Sequence, residues 1–109
     1  MGVTKSEIFT NYQNKLALAA RVLGHPARIA ILQHLFKTDS CVCGDLVGVI
    51  GLAQPTISQH LKELKNLGII KGNIEGTRVC YCINTQKWEE LKDLFAGFLN
   101  QTASDKSCC

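Results

Sequence analysis

The chain has 109 residues, enough for one small domain with a modest core. Twelve Lys and Arg stand against nine Asp and Glu, a formal charge of +3, which is mildly basic and compatible with a nucleic-acid partner without requiring one. No run of about eighteen apolar residues occurs, and Lys5, Glu7 and Lys15 interrupt any export-signal pattern, so no membrane partner or secretory leader is expected and the expected location is cytoplasmic.

From about Thr4 to Leu23 the pattern is one helix, with Ile8, Tyr12, Leu16, Ala19, Ala20 and Leu23 as its stripe and Gly24 as its stop. Phe9 and Leu18 add apolar surface off that stripe. A greasy second side suits a shared dimer interface and is also common in plain cores. His25-Pro26-Ala27-Arg28 opens a second helix, with Pro26 in its first turn and Ile29, Leu32, Leu35 and Phe36 on its apolar side. Thr38-Asp39-Ser40 is a break. His25 and His34 have no partner at metal-ligand spacing and are read as structural.

A short third helix is expected within Ser40 to Gly51, starting near Cys43 or Gly44, with Leu46, Val49 and Ile50 inward. Gly51-Leu52-Ala53 turns into the next helix, Gln54 to Leu67. Ile57, Leu61, Leu64 and Leu67 form its buried stripe, Pro55 fits its first turn, and Gly68 suits a left-handed cap. Two short helices joined by such a turn form a helix-turn-helix. The open face of the second carries Gln54, Thr56, Ser58, Gln59, Lys62 and, near the edge, His60. Hydroxyls, amides and an ammonium there suit base edges and phosphates.

After Gly68 the period changes from helical to alternating. Ile69 to Ile74 is a strand candidate, Glu75-Gly76-Thr77 a turn, and Arg78 to Ile83 a second strand with Val79, Tyr81 and Ile83 on one face. This hairpin is a wing with Arg78 near its tip. Asn84-Thr85 offers a cap to a last helix whose stripe is Trp88, Leu91, Leu94, Phe95, Phe98 and Leu99. Residues 1–99 therefore read as one winged helix-turn-helix domain, mainly α with a β-hairpin in the order ααααββα. Residues 100–109 are a polar tail ending in Cys108-Cys109.

The six cysteines form three close pairs, Cys41/Cys43, Cys80/Cys82 and Cys108/Cys109. None has Cys-x-x-Cys zinc-knuckle spacing, and the helix-rich pattern argues against a disulfide framework. Close thiols in a reducing compartment point to soft-metal or metalloid binding, or to redox sensing. Cys80 and Cys82 are read first as small residues on the less buried face of the hairpin. Enzyme activity is not expected: there is no phosphate-cradling glycine loop, no paired carboxylates in an evident cleft and no Cys with a His base.

Three segments resemble the ArsR/SmtB family of metal- and metalloid-responsive repressors: Leu23-Gly-His-Pro-Ala-Arg-Ile-Ala-Ile-Leu32, Leu52-Ala-Gln-Pro-Thr-Ile-Ser-Gln-His-Leu-Lys-Glu-Leu64 with Leu67-Gly-Ile-Ile70, and Gly76-Thr-Arg-Val-Cys-Tyr81. The resemblance covers roughly Leu16 to Leu99. It implies a homodimer built by the first and last helices, with Ile8, Tyr12, Leu16, Trp88, Leu91, Phe95 and Phe98 at the interface. It implies operator DNA as partner, read in the major groove by Gln54, Thr56, Ser58, Gln59 and His60, with Lys62 and Arg78 at the backbone or minor groove.

Cys41-Val-Cys-Gly-Asp-Leu46 is similar to the Cys-Val-Cys-Asp-Leu-Cys stretch of arsenic-responsive members, with Gly44 inserted and Val47 in place of a third Cys. The resemblance implies release of DNA when trivalent arsenic or antimony is bound by thiolates. Arsenic(III) favours three sulfurs. Cys108 or Cys109 is the expected third, on a tail able to extend at most about 33–36 Å. On an ideal helix Cys41 and Cys43 point in nearly opposite directions, so the ion is expected to unwind the start of the third helix. A cadmium or lead sensor with four thiolates and a thiol-redox sensor remain open within this fold; a small thiol metal carrier is the reading from another class. A zinc site on the last helix is weak, because that helix has Glu89, Glu90 and Asp93 but no His.

Overall fold

The computed structural model describes residues 5–39, 41–44, 46–73 and 80–105. The helix expected to run unbroken to Leu23 is two pieces, α1 (Lys5–Ile8) and α2 (Asn11–Leu23). Thr10 is the reason. Its hydroxyl accepts from the Gln13 amide at 3.1 Å, while the Gln13 side chain accepts from the Thr10 amide at 2.9 Å. That reciprocal capping box starts a new helix where apolar spacing alone suggested continuity.

Helix α3 (Pro26–Lys37) follows a His25 cap. Then comes the main departure from expectation. Cys41–Cys43 is not helical: it is a strand, β1, and the helix after it, α4 (Val47–Ile50), is a single turn. Leu46 is buried as expected, whereas Val49 is 55% exposed. Gly51 closes α4 at φ 84°, and α5 (Gln54–Leu67) ends on Gly68 at φ 95°, both left-handed. The hairpin strands are β2 (Ile70–Asn73) and β3 (Cys80–Ile83), and α6 (Thr85–Leu99) starts on an Asn84 cap that accepts from the Lys87 amide. The turn expected at Glu75-Gly76-Thr77, with Ile74, Arg78 and Val79, lies outside the described residues.

The sheet has the order β1-β3-β2, all antiparallel. The expected ααααββα order therefore gains a helix break and an edge strand, and the wing becomes three-stranded. A three-residue strand carries almost no periodic signal, and β1 exists because β3 pairs with it. Gly72, at φ 126°, lies so close to the neighbouring strand that a Cβ there would run into the Cys80 carbonyl and Tyr81 Cα. The position requires glycine.

The core joins α3, α5 and the sheet through Ile31, Leu35, Leu46, Ile57, Leu61, Leu64, Ile69, Ile70, Tyr81 and Ile83. Leu91 of α6 is buried with them, and Trp88, Leu94 and Phe95 pack against them half-buried. Phe36 and Trp88 meet with ring centroids 4.8 Å apart, and the Tyr12 hydroxyl donates to the Leu94 carbonyl at 2.7 Å, tying α2 to α6. The expected interface residues thus divide. Leu91 belongs to the protomer's own core, while Ile8, Tyr12 and Phe98 are exposed, with Phe9, Leu18 and Leu99 beside them in kind.

Candidate nucleic-acid interface and its thiol face

Helix α5 is seated by Ile57, Leu61 and Leu64, all at most 1% exposed. Its opposite face presents Gln54, Thr56, Gln59 and Lys62 to solvent. Ser58 is half-buried and its hydroxyl accepts from Gln54 Nε2 at 3.2 Å; Gln59 Nε2 approaches Glu63 Oε1 at 3.5 Å. Lys65 Nζ donates to the Gly72 carbonyl at 2.8 Å, which fixes the wing strand β2 to the end of α5. Helix and wing are therefore held as one surface. Arg78 lies outside the described residues.

His60 does not stand on the open face. It is 8% exposed, and its Nδ1 accepts from Arg28 Nε at 3.0 Å. Arg28 also donates to the Val22 carbonyl at 3.0 Å. The His25 ring lies 4.3 Å from the His60 ring, and His25 Nδ1 caps α3 by accepting from the Ala27 amide. The correction has a simple cause: position 60 follows Ile57 by three residues and precedes Leu64 by four, so it shares their side of the helix. Sequence reasoning missed this latch, although the His-Pro-Ala-Arg segment that carries it was in view.

Burial, and then the nearby His25 and Arg28, hold the His60 imidazole below its ordinary value of 6.5. The folded state favours neutral His60, so this contribution is complete above pH 6.5 and is lost as pH falls below it toward the lowered folded-state value. Thermal unfolding of wild type and His60→Gln from pH 8 to pH 5 checks this. The wild-type midpoint is expected to fall more steeply in the acid range; parallel curves would contradict it.

The cysteines depart furthest from expectation. Cys41 faces Cys82 across the β1–β3 ladder, and Cys43 faces Cys80. The Cα atoms are 4.0 and 4.1 Å apart, and both pairs are disulfide-bonded. Free thiols were expected. Direct opposition in an antiparallel ladder brings the side chains together on one face. The expected unwinding of a helix by the bound ion loses its basis, since residues two apart on a strand already share a face. Val42 and Tyr81 point the other way, half-buried and buried. Cys41, Cys43 and Cys80 are exposed and Cys82 is half-buried. Gly44, at φ 116°, ends β1. Cys108 and Cys109 lie outside the described residues.

With these sulfurs paired, no group of three or more His, Cys, Asp or Glu is arranged to hold a metal among the described residues. Arsenic or another thiophilic ion needs thiolates, and the donor set fits one only when the disulfides are reduced. On α6, Glu89 pairs with Lys92 at 3.2 Å and Glu90 with Lys87 at 3.3 Å, both on the surface. The signal that could have found Cys80 and Cys82 was the shared Cys-x-Cys spacing, which puts both sulfurs of each segment on one strand face.

A helix-turn-helix that presents a polar helix face, braced against a wing, defines a winged-helix regulator of transcription. The family model described as bacterial regulatory protein, arsR family, matches residues 25–71. An uncharacterised HTH-type transcriptional regulator of Methanocaldococcus jannaschii is 38% identical over 78 residues, which are 71% of this chain and 86% of that one. The chain belongs to the ArsR family. The HTH-type transcriptional repressor SmtB of Mycobacterium tuberculosis is 43% identical over 61 residues, 56% of this chain but only 44% of SmtB. The crystal structure of NolR from Sinorhizobium fredii shares the fold, with a TM-score of 0.61 at 17% identity over 94% of this chain and 99% of that chain. No helix among the described residues is long and apolar enough to cross a membrane.

Proposed function

We propose that the chain is a cytoplasmic, non-enzymatic DNA-binding repressor that leaves its operator when a thiophilic ion, trivalent arsenic or antimony first, is taken by the Cys41 and Cys43 thiolates. The observation that carries the DNA-binding part is the exposed face of α5, with Gln54, Thr56, Gln59 and Lys62 opposite a fully buried stripe. Control at the thiols is supported by their position. β1 pairs with the wing strand β3 and leads, after three residues, into α4, the first helix of the helix-turn-helix. Four sulfurs on one face also favour a second reading, a cadmium or lead sensor, because such ions accept four thiolates.

Selection of duplexes from a random-sequence pool by the reduced protein tests DNA reading. An imperfect palindrome is expected, with half-sites on the order of 34 Å apart. On the selected duplex, Thr56→Ala/Gln59→Ala is expected to weaken binding by about 1–3 kcal/mol for each base edge no longer read. Lys62→Ala is expected to weaken all sequences alike and to lower the salt slope by about one. No enriched sequence, or variants that bind as wild type does, would count against α5 as the reader.

Palindromic reading requires two copies. The exposed apolar residues Ile8, Phe9, Tyr12, Leu18, Phe98 and Leu99 on or beside α1, α2 and α6 are the proposed dimer surface. Sedimentation is expected to give a dimer for wild type and a shift toward monomer for Phe98→Asp. An unchanged dimer would move the interface elsewhere.

A further inference from the structure

We infer that Cys41, Cys43, Cys80 and Cys82, once reduced, form a single thiolate site for a soft, thiophilic ion within one protomer, completed by the wing strand and not by the tail. This rests on the proposed control of DNA binding through Cys41 and Cys43, and it names the remaining ligands. The register places the four side chains at the corners of a small rectangle on one face of the sheet. Its short side is set by Cα separations of 4.0 and 4.1 Å. Its long side is two residues of strand, about 6.6–6.8 Å. Metal–sulfur bonds are about 2.3 Å for zinc and similar ions, so sulfurs turned inward from four such corners can share one ion.

Three features favour this set. All four sulfurs are held by backbone pairing, so no chain segment must be ordered to bring them together. The face is open to solvent at Cys41, Cys43 and Cys80, so an ion has access. The pairing of β2 with β3 sets Lys71 beside Cys82, so a cation adjoins the face on which the sulfur charge gathers. Three of the sulfurs satisfy trivalent arsenic; all four suit a divalent soft ion such as cadmium.

The disulfides are the oxidised form of the same site and exclude the ion. Each is opened by one equivalent of a dithiol, which takes up the bond as its own disulfide while two protein thiols form. Two equivalents therefore prepare one protomer.

The test uses the reduced, metal-free full chain and cadmium ion alone. Thiolate-to-metal charge-transfer absorbance is expected to saturate at one ion per protomer. Alkylation read by mass spectrometry is then expected to find Cys41, Cys43, Cys80 and Cys82 protected and Cys108 and Cys109 labelled. Cys80→Ser/Cys82→Ser is expected to weaken binding by more than the roughly 10–100-fold that loss of an outer-shell partner costs. Protection of Cys41 and Cys43 with labelling of Cys80 and Cys82 would overturn this inference and leave the proposed control standing. Labelling of all six would overturn this inference together with the cadmium reading, and would leave control by arsenite or antimonite to the release assay. The wild-type footprint decides the matter even where the double variant folds poorly.

Discussion

Reduction of the two cross-strand disulfides is expected to lower stability by about 4 kcal/mol. The Cys41–Cys82 bond spans 41 residues and the Cys43–Cys80 bond 37. A loop of that size lies between those for which chain entropy gives about 3 and about 4.7 kcal/mol. The bonds are nested, so the second adds little once the first has closed the loop. A loss of this size is a large share of the about 5–15 kcal/mol that stabilises a typical domain. With about 4–8 °C per kcal/mol for a chain this short, the thermal midpoint should drop on the order of 15–30 °C on adding a dithiol. Replacing all four cysteines by serine should abolish the difference. Equal midpoints with and without reductant would show that the bonds do not constrain the chain. The functional consequence is that the ion-accepting form is also the looser one. The short edge strand β1 is then held by its ladder, by Val42 against the core and by whatever the thiolates bind.

Leu64→Ala is expected to cost about 2–5 kcal/mol, the range for emptying a well-packed leucine site. Leu64 is fully buried between α5 and the core, three residues beyond Leu61 on the inner face. Denaturant unfolding should show a lower midpoint with an unchanged slope. The same change should also weaken DNA binding, because the buried inner face of α5 seats its outer one. Lys62→Ala, on the outer face, should leave stability within about 0.5 kcal/mol. A Leu64→Ala protein as stable as wild type would mean that α5 is not seated as described.

The helix-turn-helix and the hairpin were legible because their signals are local. Ile57, Leu61 and Leu64 recur at helical spacing, Gly51 and Gly68 occupy left-handed caps, and Tyr81 and Ile83 alternate with polar neighbours. The break at Thr10 was equally local but was masked by apolar residues on both sides of it. Strand β1 was not legible. Three residues cannot show a period, and the resemblance to a helical cysteine segment pointed the other way. What decides it is a partner about forty residues downstream, which is a tertiary fact. The inward turn of His60 was visible in principle from its spacing to Ile57 and Leu64. Its polarity led to the reading face instead, and its half-buried partner Arg28 lies on another helix.

The direct measurement of control at the thiol face is a cycle on a single sample. The reduced protein is bound to its selected, fluorescently labelled duplex and anisotropy is followed. Arsenite is added, then an excess of a small dithiol that removes it; antimonite, cadmium, zinc and a mild oxidant are run in parallel. The expected result is high anisotropy at the start, then a fall to the free-duplex value with arsenite or antimonite and recovery with the dithiol, with no fall for Cys41→Ser/Cys43→Ser. A duplex that stays bound through every ion and leaves only with oxidant, or a double variant that releases as wild type does, would contradict it.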